Sequence, residues 1–344
     1  MAGGLAQARR LRALRWLLSL VVLAVCAVAL RHIDWDQMRV FLSRARFSLI
    51  AVAICVPLVH GLLKSERWRI LIAPFAKPPW LRLYHTLIMS FAASAVLPAR
   101  AGELLRLFVL KREFKVPMSS SIGVIVVEKL LEMVGLLMVV GPLLAFLPLP
   151  RWMAKSILAL GALVLVAVIA LFVVGRWGKA RSSVFGRLSE GVRCIATPRR
   201  LVGVLAMSVL IFVVDGVMIT LVLRAYEIDL PWAAPALVLL PVNIAIALPS
   251  TPAQIGLFEA AAVAGLTALG VSGERALAFA MTYHLIQIVP VLLIAGLTGK
   301  QLLRETRQRL LDATQLDADA EADAASEARP DVGLGSAPVA ERAR

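Results

Sequence analysis

Six stretches of this chain, residues 12–30, 47–63, 117–147, 154–174, 200–224 and 276–299, are dominated by apolar side chains. Each is about as long as a helix must be to cross a hydrocarbon core of about 30 Å, some with the help of Lys and Arg that snorkel at their ends. Lipid satisfies no backbone N–H or C=O, so a segment that crosses it must close its own hydrogen bonds. The expected class is therefore all-α, a polytopic integral membrane protein. Composition agrees: the 344 residues are 60% hydrophobic and only 17% charged, with a mean hydropathy of +0.84. A soluble domain is apolar over about 45–50% of its residues.

Two regions do not read as single crossings. Segment 81–97 is followed by Leu104 to Leu110, far too short to cross again, and segments 231–248 and 254–270 are joined only by the uncharged Pro249-Ser250-Thr251-Pro252-Ala253. Both predict re-entrant or broken hairpins, which are tolerated where protein or a water-filled cavity covers the open backbone. Pro98 and Gly102 break the first, and Pro249, Pro252 and Gly256 the second. The architecture is thus about six full spans plus two hairpins, or six to eight helices by the usual count. Leu97-Pro98-Ala99-Arg100-Ala101-Gly102-Glu103 and the run from Leu248 to Glu259 both open on Leu-Pro and close on Glu. Their matching placement predicts inverted half-repeats, about 47–147 and 200–299.

The net charge of +15 and pI near 10.8 would elsewhere suggest nucleic acid. Here the Lys and Arg fall between apolar segments, without a basic stripe interleaved with aromatics, and no nucleic-acid partner is expected. With the N-terminus inside, the segment ends facing the cytoplasm carry 23 Lys and Arg and those facing outward carry 8. That bias predicts both termini in the cytoplasm of a cell-membrane protein. Residues 1–11 form a basic N-terminus and 12–300 the membrane domain. Arg9 to Arg15 and Ala27-Val28-Ala29 have the outline of a cleavable signal, but the apolar stretch between them is longer than a usual h-region, so an uncleaved anchor is expected. The tail, 301–344, is acidic, with eight Asp and Glu against three Arg from Asp312 onward, and is expected to be disordered. Cys26, Cys55 and Cys194 lack paired spacing and read as free thiols. No metal set and no cofactor is predicted.

An ionised side chain at the bilayer centre costs at least about 2.5–3.5 kcal/mol, so it usually faces a partner or a cavity. Arg100, Glu103 and Arg106 recur at intervals of three, which would let one carboxylate neutralise two guanidiniums. Glu128, Lys129 and Glu132 form a second cluster about 14 Å into the next span, at the depth of the first hairpin's tip. The two clusters predict a polar chamber. Arg100, Arg106 and Lys129 are its candidate anion ligands, and Glu103, Glu128, Glu132 and Glu259 their charge partners. A structural ion-pair network is the competing reading. Asp215 and Asn243 could equally hold helices together, and His60 and His284 read as packing residues.

The segments Pro98 to Arg106, Val126 to Glu132 and Pro249 to Glu259 together resemble the lysylphosphatidylglycerol synthase transmembrane-domain family, a flippase-like membrane domain also found alone, over roughly residues 10–300. The family usually has Glu-Arg and a following Asp where this chain has Glu128, Lys129 and Glu132. It favours Thr-Pro-Gly-Gly where this chain has Thr251-Pro252-Ala253-Gln254, which predicts a less tight second turn. The synthase's soluble aminoacyl-transfer domain has no counterpart, so lipid aminoacylation is not carried over. Arginines at a broken-helix tip suit a phosphate, which Arg can bind bidentately. The expected function is binding or translocation of an anionic lipid or polyprenyl-phosphate-linked headgroup, with membrane lipids as partners. Alternatives are a membrane-embedded transferase acting on a lipid-linked phosphate and an accessory subunit of a partner enzyme, and a homo-oligomer is also open. Against the transferase, no nucleophile-base pair or nucleotide-phosphate loop is found.

Overall fold

The computed structural model describes residues 36, 40–41, 43–96, 101–143, 151–177, 193–195, 197–247 and 252–299. Nine α-helices are bounded among them: α1 Phe47–Ile72, α2 Trp80–Val96, α3 Ala101–Phe114, α4 Met118–Val140, α5 Arg151–Trp177, α6 Pro198–Ala225, α7 Ala234–Ala247, α8 Leu257–Thr267 and α9 Gly273–Gly299. No strand occurs among the described residues. The chain divides into Met1–Ala295 and Gly296–Arg344.

Among the described residues four helices are long and apolar enough to cross a membrane: α1, α6 and α9 over their whole length, and α5 over Arg151–Ala170. At 23 residues, α4 is about 34 Å long and also matches an expected span, though it carries Glu128, Lys129 and Glu132. The expected span at 12–30, the N-terminal segment and the tail lie outside the described residues. The chain is a polytopic helical membrane protein.

One boundary differs in a way that matters. The sequence places the end of the second span at residue 63 and reads Lys64 and Arg67 as flanking charges. Instead α1 runs on to Ile72, and Arg67 is fully buried inside it. The helix continues because Trp68, Leu71 and Ile72, also buried, extend its packed face beyond the charges.

Helix α1 and α6 run antiparallel. Arg46, just before α1, donates its N–H to the Ala225 carbonyl at the end of α6 and pairs with Glu227 at 2.8 Å. Near the other end, Arg67 meets Ser208. The hairpins that follow α1 and α6 therefore enter from opposite sides, each in the order span, two short helices, span.

The first hairpin is fastened at two levels. At its open end Arg82 on α2 reaches Glu113 on α3 through two bonds of 2.8 Å. Near its tip Ser90 Oγ donates to the Gly102 carbonyl at 2.8 Å. A Cβ on Gly102 would overlap the Ser90 carbonyl, so the close approach of α2 and α3 requires glycine there. In the second hairpin, Gly265 on α8 faces Pro241 and Val238 on α7, where a Cβ would come within 3.2 Å of the Pro241 ring. Small residues let helices approach in lipid, where packing replaces the hydrophobic drive.

The second turn, described from Pro252 onward, takes positive φ even without the two glycines the family favours there. Ala253 (φ 52°), Gln254 (φ 63°) and Gly256 (φ 91°) all take left-handed backbone. For Ala253 and Gln254 this costs about 1–2 kcal/mol each, which the surroundings must offset.

Candidate functional site

A buried ionic network joins α1, α3, α4 and α6. Arg67 is its centre: Nη2 lies 3.0 Å from Glu132 Oε1 and 3.3 Å from Glu128 Oε1, and Nη1 donates to Ser208 Oγ at 3.2 Å. The Ser208 hydroxyl in turn donates to the Val204 carbonyl, so it accepts from Arg67. Glu128 and Glu132 are one turn apart on α4, and Lys64 and Arg67 nearly so on α1, so two antiparallel helices present matching pairs. Lys64 accordingly stands 3.4 Å from Glu132 Oε1. Arg106, from α3, binds the other Glu128 oxygen at 2.5 Å and stacks over the Trp68 ring. Lys129 closes the set, 3.1 Å from Glu132 and 3.5 Å from Glu103.

Burial of this network is selective. Arg67, Arg106 and Glu128 are almost sealed, at 0%, 2% and 3% exposure, whereas the Lys129 side chain keeps 38%. The sealed members offset part of their desolvation by sharing partners: Glu128 serves Arg67 and Arg106, and Glu132 serves Arg67, Lys64 and Lys129. The open members front a cavity of about 780 Å³ between α1, α4, α5, α6, α7 and α9. Its polar lining includes His60, Lys64, Lys129, Glu132 and Asp215, and its apolar lining includes Leu160, Leu163, Val164 and Ala167 of α5 and Val242 and Ile246 of α7. His60 Nδ1 and Asp215 Oδ1 are 3.3 Å apart without the alignment of a hydrogen bond, which leaves Asp215 Oδ1 and His60 Nε2 buried and unpartnered.

A smaller cavity of about 220 Å³ lies between α1, the end of α2, the second turn and α9. It shares His60, Lys64, Ile246 and Gln287 with the larger one. The end of α2, at Ser94 and Ala95, and the second turn, at Ala253 and Gln254, face each other across it. The two hairpins thus meet next to the charged face of α1.

Of the residues singled out in the sequence, Lys129 and Glu132 line the large cavity, while Glu128 is buried beneath it in the network. Arg106 is given over to Glu128 and Trp68, and Glu103 stands with Lys129. Glu259 belongs to the other hairpin, where Oε1 meets His284 Nδ1 at 2.6 Å and Oε2 accepts the Gly256 N–H at 2.7 Å. Gly102 and Gly256 sit at the hairpin helices' starts, and Pro252 opens the short turn Pro252–Gln254. Arg100, Pro98 and Pro249 lie outside the described residues. Four participants escaped the sequence reading: Lys64 and Arg67, taken for loop charges, and His60 and His284, taken for packing. The signal for the first two was the apolar run Ile70-Leu71-Ile72 that follows them. Among the described residues no group of three or more His, Cys, Asp or Glu could hold a metal ion.

Fixed cations held by shared carboxylates, opening beside an apolar wall, can hold an anionic headgroup while the attached chains stay in contact with hydrocarbon. Residues 14–295 match the family described as the lysylphosphatidylglycerol synthase TM region. No curated protein matches the chain.

Proposed function

From the premise that the chain belongs to the lysylphosphatidylglycerol synthase transmembrane-region family, we propose that it binds or translocates an anionic lipid or polyprenyl-phosphate-linked headgroup. Membership alone makes it a membrane protein of a lipid-handling family. The observation that carries the finer reading is a cavity of about 780 Å³ lined both by Lys64 and Lys129 and by apolar residues of α5 and α7. A water-soluble ligand would gain nothing from that wall, and a pure hydrocarbon would gain nothing from the cations.

The roles divide by burial. Lys129 and Lys64 meet the headgroup. Arg106 and Arg67 hold Glu128, Arg67 also holds Glu132, and Glu132 in turn holds the lysines in place. Arg100 is retained as a headgroup ligand at the first hairpin, on the strength of its position in the sequence. The excess of Lys and Arg at alternate segment ends supports a cell-membrane protein with both termini in the cytoplasm, and removing Lys64 and Arg67 from the tally leaves the bias in place.

The test is mass spectrometry of lipids retained by the purified protein, followed by a flip assay with the retained lipid in vesicles. Enrichment of one anionic lipid class, lost in Lys129→Ala, is the expected result. Retention that matches bulk membrane composition, or product formation by the purified protein alone, would replace this reading, the second with a transferase.

A further inference from the structure

His284 spends both ring nitrogens on the second hairpin. Nδ1 stands 2.6 Å from Glu259 Oε1, and Nε2 stands 2.9 Å from the Ala253 carbonyl. A carbonyl oxygen only accepts, so Nε2 must carry a proton and donate it. An imidazole with its single proton on Nε2 presents a lone pair at Nδ1, and a lone pair facing a carboxylate at that distance repels. The contact at Nδ1 therefore needs a second proton, shared between the ring and Glu259. The other Glu259 oxygen cannot relieve the demand, because it already accepts the Gly256 N–H. Phe258 stacks on the ring at 4.2 Å and fixes its plane.

We propose that His284 and Glu259 form a proton-binding site that latches the turn Pro252–Gln254, and that loss of the shared proton releases it. The protonated pair is neutral overall, which suits a setting where the side chains are only 7% and 18% exposed. Deprotonation leaves a net negative charge there and turns the Nδ1 contact from attractive to repulsive. The ring must then move off the carboxylate or surrender its bond to Ala253. That bond acts on a strained segment: Ala253 and Gln254 hold left-handed backbone that neither residue favours. An unlatched turn relaxes.

Other groups around the pair tune the site. From α1, His60 and Lys64 face the same small cavity, and Lys64 is a cation that opposes a further proton. From α9 comes Gln287, and α2 contributes the uncharged Phe91 and Ser94. Since His60, Lys64 and Gln287 also line the large cavity, movement of the turn reaches the proposed lipid site. That consequence rests on the lipid reading. The proton site does not, and it is tested without lipid.

The experiment uses the full chain in nanodiscs, with Cys26, Cys55 and Cys194 replaced by Ser and Gln254→Cys added. Labelling by a water-soluble maleimide is measured from about pH 6 to about pH 9, each rate divided by that of the same protein carrying Glu259→Gln at the same pH. The division cancels thiol ionisation. In Glu259→Gln the amide oxygen takes the Gly256 N–H and the amide NH₂ donates to Nδ1, so a neutral His284 stays latched at every pH. The expected ratio is near one at low pH and rises about tenfold or more as pH increases, the scale of one lost charge-assisted bond. His284→Ala should label rapidly throughout. Independently of any variant's folding, ¹⁵N spectra of the wild-type histidines should show both His284 nitrogens protonated at low pH and one at high pH. A flat ratio, or a singly protonated His284 at about pH 6, would overturn the proposal. A switch that survives in a protein retaining no lipid would sink only the lipid reading.

Discussion

Arg67 on α1 and Glu132 on α4 stand 3.0 Å apart with the guanidinium wholly out of solvent. The pair is the hinge pin of the ionic network, since Arg67 also holds Glu128 and Ser208. Removing one partner of a buried pair strands the other, which typically costs about 3–5 kcal/mol. Arg67→Ala should therefore lower the thermal midpoint steeply in detergent. The double variant Arg67→Met, Glu132→Gln should not recover the loss, because Glu132 is also the carboxylate that holds Lys64. Equal melting of Arg67→Ala and wild type would remove the network from the account of stability.

The hairpins were legible in the sequence, and the heart of the network was not, for one physical reason. Gly102, Pro252 and Gly256 act locally, so their effect on the backbone can be read without knowing what packs around them. Lys64 and Arg67 sit where an apolar run meets charges, and such charges usually snorkel. Only the partners on α4, 61 and 65 residues away in the chain, convert them into buried ligands. The same holds at the second turn. Two glycines would have announced left-handed backbone, whereas Ala253 and Gln254 adopt it in a turn whose Ala253 carbonyl meets His284, 31 residues away.

Gly102 gives a sharper test of the first hairpin. A methyl group there would collide with the Ser90 backbone, which cannot rotate away as a side chain can. Gly102→Ala is expected to destabilise the protein by about 1–3 kcal/mol or more, the cost of overpacking. Ser90→Ala removes only the bond from Oγ to the Gly102 carbonyl and should cost about 1 kcal/mol. Thermal melts of both in detergent check the order, and a Gly102→Ala variant as stable as wild type would contradict the close packing of α2 on α3.

Cys194 lies outside the spans, in a short turn between α5 and α6, and is fully buried against the cluster that holds Trp68 and Val204. Burial disfavours the thiolate and pushes this thiol up to about 12. At any pH well below that it is protonated and therefore a poor nucleophile. With Cys26 and Cys55 replaced by Ser, maleimide labelling at about pH 8 should be negligible in the folded protein and complete after denaturation. Rapid labelling in the native state would mean that this turn opens readily.

The division of labour between Lys129 and Arg106 is the most direct check on the candidate site. Both are cations within reach of the α4 glutamates, yet Lys129 lines the large cavity and Arg106 is 2% exposed beneath it. Arg106→Ala should act as a stability variant: it leaves Glu128 with Arg67 alone, uncovers Trp68, and lowers the thermal midpoint. Lys129→Ala leaves Glu132 with Arg67 and Lys64, so the buried network keeps its pairing while the cavity loses a cation and Glu103 loses its contact with Lys129. Its melting should stay near wild type, and retention of an anionic lipid should fall about tenfold or more, the scale of one lost charge-assisted contact to a phosphate. Lys129→Arg should restore retention, since the charge returns with a donor fork that suits the same oxygens. Native mass spectrometry of the three variants beside their melting curves separates the two roles. If Lys129→Ala melts early and keeps its lipid while Arg106→Ala stays stable and loses it, burial has been assigned the wrong meaning at this site.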